Sequence, residues 1–80
     1  MPKKFYFNTD NDDRDLDPQG AEFDSTDSAR REAISLLGEL LKNGSGDVLL
    51  KGGSLSVWVT DGPKGSGRTF FTLEVLASDP

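Results

Sequence analysis

SLSVWVTDGPKGSGRTFFTLEVL, residues 54–76, decides how the chain folds. Its first part alternates. Leu55, Val57 and Val59 share one face of an extended strand, and Ser54, Ser56, Trp58 and Thr60 share the other. Its last part repeats the pattern: Phe71, Leu73 and Val75 point inward, and Phe70, Thr72, Glu74 and Leu76 outward. GPKGSG between them is made of turn formers. The stretch predicts a β-hairpin over 54–76 with one apolar face, and that face needs a cover.

The cover lies upstream, in FDSTDSARREAISLLGELLKNG, residues 23–44. Ala29, Ala33, Leu36, Leu37, Leu40 and Leu41 recur at helical spacing and form one stripe with Ile34 at its edge. Arg31, Ser35, Glu39 and Lys42 lie opposite. Asp24 or Ser25 is placed to cap the N-terminus, and Asp27 suits the positive end of the helix dipole. Asp27 can also meet Arg30 and Arg31 one turn on. Asn43-Gly44 is a natural stop, so the helix is expected over 25–43. Gly38 falls inside it, toward the wet face, at a cost of about 1 kcal/mol relative to alanine.

The N-terminal third reads as a second hairpin, about 1–23. In KKFYFN, residues 3–8, Phe5 and Phe7 share a face and Lys4 and Tyr6 the other. TDNDD turns the chain, RDLD returns as a short strand carrying Leu16, and DPQG turns again. Residues 44–53 read as a connection whose Val48, Leu49 and Leu50 cover one end of the core. The expected architecture is α+β in the order ββαββ over one small domain, 1–80. It is a mostly antiparallel four-stranded sheet with one helix packed on one face.

Composition removes much chemistry. The 80 residues include no cysteine and no histidine. Thiolate nucleophiles, disulfides, Ser-His-Asp arrangements and the ordinary zinc ligands are gone together. The formal charge is −5, and eight of the fourteen acids fall between Asp10 and Asp27. That balance resists nucleic acid. MPKKFYFNTD is too short in apolar residues for a signal peptide, and no run approaches a membrane span. The expectation is a cytoplasmic, bacterial-type protein that is not an enzyme and has no cofactor, membrane, nucleic-acid or small-molecule partner.

Three surfaces compete for a function. DNDDRDLD, residues 10–17, holds five aspartates against Arg14 alone. Asn11, Asp13, Asp15, Asp17, Gln19 and Glu22 take the ligand spacing of a calcium loop, but Leu16 stands where the sharp turn needs glycine and Pro18 stiffens the chain. A solvated turn and strand edge explains the same residues. As a surface, Asp10, Asp12, Asp13, Asp15 and Asp17 form an acidic patch that could occupy a basic site on a partner. GPKGSGRT, residues 62–69, sits one residue from a phosphate-loop pattern, yet a strand follows it where that chemistry needs a helix N-terminus. Paired carboxylates for hydrolysis would need a cleft, which nothing in the sequence suggests.

The third surface is the sheet face away from the helix. Alternation puts Tyr6, Trp58 and Phe70 there. An aromatic face on an acidic protein suits protein contact, and a homodimer packed sheet to sheet is the expected form. The competing reading has Val48–Leu50 cover Trp58.

Four stretches carry a family resemblance: MPKKFYFN at the start, DPQGAEF (17–23), DSARREAI (27–34) and VWVTDGPKGSGRTFFTLEV (57–75). Together they resemble a family of short alphaproteobacterial proteins known only as a domain of unknown function. Its pattern is an aromatic first strand, an acidic turn with glycine, an alanine- and arginine-rich helix start and a closing hairpin. This chain departs from it in a longer glycine-rich last turn and a more acidic first one. The resemblance implies the ββαββ order and no catalytic residue or cofactor.

Overall fold

The computed structural model describes residues 2–11, 13–44 and 46–78. The strands are β1 (Lys3–Asp10), β2 (Arg14–Asp15), β3 (Ala21–Phe23), β4 (Ser54–Thr60) and β5 (Thr69–Leu76). The helices are α1 (Thr26–Lys42) and the single turn α2 (Asp47–Leu50). All strand pairs are antiparallel, and the order runs β2-β1-β4-β5 with β3 also on β1. The α+β class therefore holds, with five strands rather than four. The return arm of the first hairpin splits in two: β2 pairs Thr9–Asp10 of β1, and β3 pairs Lys3–Phe5. Leu16 to Gly20 bow out between them because a proline and a glycine in left-handed conformation (φ 69°) cannot hold one continuous ladder.

The hairpin at 54–76 forms in the expected sense, with Leu55 paired to Val75, Val57 to Leu73 and Val59 to Phe71. Helix α1 lies across β4 and β5. Ser25 caps it, its hydroxyl accepting the Ser28 N–H at 3.1 Å, and Asn43 ends it. Asp27 pairs with Arg31 at 3.3 Å on the wet side, where solvent leaves the pair little net worth. Gly38 is exposed with open space around it.

The core is Phe5, Val57 and Val59 of the sheet against Ala29 and Ala33 of the helix. Two alanines let helix and sheet approach closely, and Leu36, Leu37 and Leu40 close around them. At one end Phe5 meets Phe23 and Phe70 edge-on, with centroids 6.2 and 5.6 Å apart, and Phe7 meets Phe23 at 5.6 Å. These are the offset geometries that ring quadrupoles favour. Within 44–53, α2 lies against β4 with Val48 buried, while Leu50 is exposed. No helix among the described residues is long and apolar enough to cross a membrane.

Candidate functional site

Phe70 departs from its expected place. The hairpin ladder slips between Val59 and Thr60: Val59 pairs with Phe71 but Thr60 with Thr69. The extra residue is Phe70. A bulge turns its side chain to the helix side, past the end of β4, onto Phe5. Plain alternation could not show this, because one inserted residue reverses every face beyond it.

Tyr6 and Trp58 do lie on the face away from the helix, but that face is not bare. Leu16 to Gly20 and the 61–67 turn fold over it. Lys64 N–H donates to the Asp17 carbonyl at 2.7 Å and ties the two segments together. A methyl group at Gly65 would come within 3.4 Å of Leu16 and 3.9 Å of both the Asn8 Oδ1 and the Trp58 indole nitrogen. Trp58 is thus half-covered by this lid, with the Arg14 guanidinium 5.9 Å from its ring centroid. Val48–Leu50 belong to α2, which lies against β4.

Under the lid is a polar core. Asn8 and Thr60 are fully buried. Asn8 Nδ2 donates to the Thr60 hydroxyl at 3.2 Å and to the Trp58 carbonyl at 3.3 Å. Its Oδ1 accepts the Asp17 N–H at 3.0 Å, and the Thr60 hydroxyl donates to the Gly62 carbonyl. Among the described residues no buried side-chain polar atom lacks a partner. The sequence carried one signal for this: Asn8, Trp58 and Thr60 share an alternation face.

Asp17 is the hub. Its Oδ2 accepts the Phe7 N–H at 3.1 Å, where neither β2 nor β3 reaches β1. Its Oδ1 accepts the Gln19 and Gly20 N–H groups, both at 3.0 Å. Burial opposes ionisation of this carboxyl, but the bonds from Gly20, Phe7 and Gln19 and the nearby Lys4 outweigh it and hold the pKa below the usual aspartate value. Gly20 packs so closely that an added Cβ would lie 2.8 Å from the Phe5 carbonyl and 2.9 Å from the Tyr6 ring.

The acidic residues therefore divide. Asp17 is structural and leaves the proposed patch. Asp10 meets Arg14 at 3.5 Å, Asp13 and Asp15 are exposed, and Asp12 lies outside the described residues. The calcium reading loses its geometry. Asp17 spends its oxygens on backbone donors, Glu22 is on β3, and no three acids among the described residues converge. At 62–69 the chain makes a short 3-10 turn and then a strand, so no helix N-terminus faces a phosphate. Asp61 shapes that turn instead, its Oδ1 accepting the Arg68 N–H at 2.7 Å.

The opposite side of the sheet is built differently. Strand β5 ends the strand order, and among the described residues no strand lies beside its outer edge. Arg30, Ile34, Leu37 and Leu41 run down one flank of α1. The Arg30 guanidinium stands 5.6 Å from the Phe71 centroid, which places this flank on the β5 side. Ile34 is 54% and Leu41 41% exposed there. Helical spacing puts Leu41 in the apolar stripe and Ile34 at its edge, but it does not show the open sheet edge beside them.

The model of a family described as Domain of unknown function (DUF6894) matches residues 4–76. The chain belongs to that family. The match begins one residue inside β1 and runs to the end of β5, so the lid, the polar core and the open β5 edge all lie within the DUF6894 domain. No curated protein and no solved structure matches the chain.

Proposed function

We propose that this chain is a non-enzymatic contact domain that binds a protein by taking up a strand on the β5 edge. One observation carries the reading: the outer edge of the eight-residue strand β5, rich in apolar side chains, has no strand partner among the described residues and lies beside the exposed Ile34 and Leu41. Unpaired N–H and C=O groups recruit a strand, and the apolar flank adds area beside it. The absence of histidine and cysteine from the sequence supports a non-catalytic role. The setting we expect is the bacterial cytoplasm, with no cofactor, nucleic acid or small-molecule substrate. Tyr6, Trp58 and Phe70 are not the surface we favour, because Phe70 faces the helix and Trp58 is half-covered.

A second reading keeps the acidic side in play. Asp13 and Asp15 are exposed at the far edge, and Arg14 is engaged by Asp10 and Trp58. An acidic inhibitor or nucleic-acid mimic would use them against a basic partner, with binding that weakens steeply in salt. Photo-crosslinking separates the two. A reactive side chain at Thr72 should give protein adducts, and one at Asp15 none. Adducts at Asp15 alone would overturn the strand-addition reading and favour the acidic one.

A further inference from the structure

We infer that the occupant of the open edge is a second copy of this chain, its β5 antiparallel to the first about a two-fold axis normal to the sheet. This rests on the strand-addition reading and names its partner. The first support is the number of open edges. The outer edge of β1 is closed by β2, Asp17 and β3, so a second copy cannot lay its β5 there. β5 on β5 uses the one long open edge of each chain among the described residues. That contact is isologous and stops at two, leaving among the described residues only the two-residue β2 and the three-residue β3 with open outer sides, too short to recruit a third copy.

Charge does not prevent it. Two copies at −5 each repel one another. The exposed Asp13 and Asp15, however, are beside β1, on the far side of β1 and β4 from β5. The two-fold sends them to opposite ends of the joined sheet. What lies near the joint is Arg30 over Phe71 and Arg68 over Phe70, with Glu74 the one acid within β5.

The pleat then restricts the register. An axis normal to the sheet preserves its faces, so each residue meets one of its own face and the axis passes through a residue position. An axis at Glu74 sets two carboxylates opposite each other. An axis at Phe71 or Thr72 draws the bulged Phe70 into the middle of the ladder or beside Glu74. An axis at Leu73 avoids both. Phe71 then faces Val75 of the second copy and Thr72 faces its Glu74. Both helices lie on one side, and each turns its Ile34–Leu41 flank toward the other.

Thr72 is the position to test, because it is exposed and opposes Glu74 only across the joint. Sedimentation equilibrium of the full chain should show a monomer–dimer equilibrium, with circular dichroism confirming the fold of each variant. Thr72→Glu sets like charges opposite each other twice and should weaken the dimer about tenfold. Thr72→Lys should tighten it by roughly severalfold on the same principle. A monomer at every concentration overturns the second copy as occupant; if Thr72 still crosslinks to another protein, strand addition itself stands. A dimer indifferent to both Thr72 variants but lost in Trp58→Ser overturns the inference and strand addition together.

Discussion

Along one edge of the sheet, β1 meets β2 at Thr9 and Asp10, the Asp17 carboxylate at Phe7, and β3 from Phe5 to Lys3. Along the other, β5 runs from Thr69 to Leu76 with no strand on its outer side among the described residues. The first edge is closed even where the chain lacks a strand to close it: a single carboxylate fills the gap. The second is long and apolar, and its central residues lack the lysine, proline or bulge that blunts edges elsewhere. A chain that closes one edge with this much specific bonding and leaves the other open points to use of the second. Acidic residues and glycines serve the closed side; apolar ones crowd the open side.

The largest effects should come from the closed side. Asn8→Ala strips a fully buried network of its centre, leaving the Trp58 carbonyl and the Asp17 N–H without their partner. A loss of about 3 kcal/mol is expected. For a domain this small that removes most of its stability, read by urea unfolding. Gly20→Ala comes next. The left-handed backbone and the contacts with the Phe5 carbonyl and Tyr6 ring should cost about 2 kcal/mol, with β3 fraying first. Unchanged stability in either variant would mean that the lid is not part of the folded edge.

Asp17→Asn should do less at neutral pH, about 1 kcal/mol: the amide oxygen still accepts on one side, the NH2 group meets an N–H donor on the other, and solvent screens the lost charge. Its pH dependence is the sharper readout. The folded pKa of Asp17 is depressed, so its contribution is complete above the unfolded pKa and is lost as pH falls through the folded one. Asp17→Asn should flatten that part of the acid limb in a melting-temperature series; an unchanged limb would remove Asp17 as the hub.

The smallest effects on folding should come from the open side. Ile34→Ser touches an exposed flank and should shift monomer stability by no more than about 0.5 kcal/mol. Its cost should appear in association instead, measured by sedimentation at matched concentration. If Ile34→Ser unfolds the monomer, that flank belongs to the core and the contrast between the edges fails.

The sequence made the hairpin at 54–76 and the helix readable, because their periods of two and of about 3.6 persist over many residues. It also marked DPQG as a turn and narrowed the helix cap to Asp24 or Ser25, of which the structure uses Ser25. It did not show that the return arm would break into β2 and β3, since each holds too few residues to display a period. Phe70 was misplaced because a bulge is a single residue and leaves no compositional trace. The five aspartates looked like one cluster of charge. The fold separates the four described ones by role: backbone donors from Phe7, Gln19 and Gly20 make Asp17 different from Asp15.

Amide hydrogen exchange across a dilution series tests the contrast between the edges most directly. The Phe7 amide, held by Asp17, should be protected nearly to the level of global unfolding at every concentration. Alternate amides between Phe71 and Val75, those pointing away from β4, should exchange freely in dilute protein and slow as concentration rises. Free exchange at Phe7, or β5 amides equally protected at all dilutions, would contradict the account.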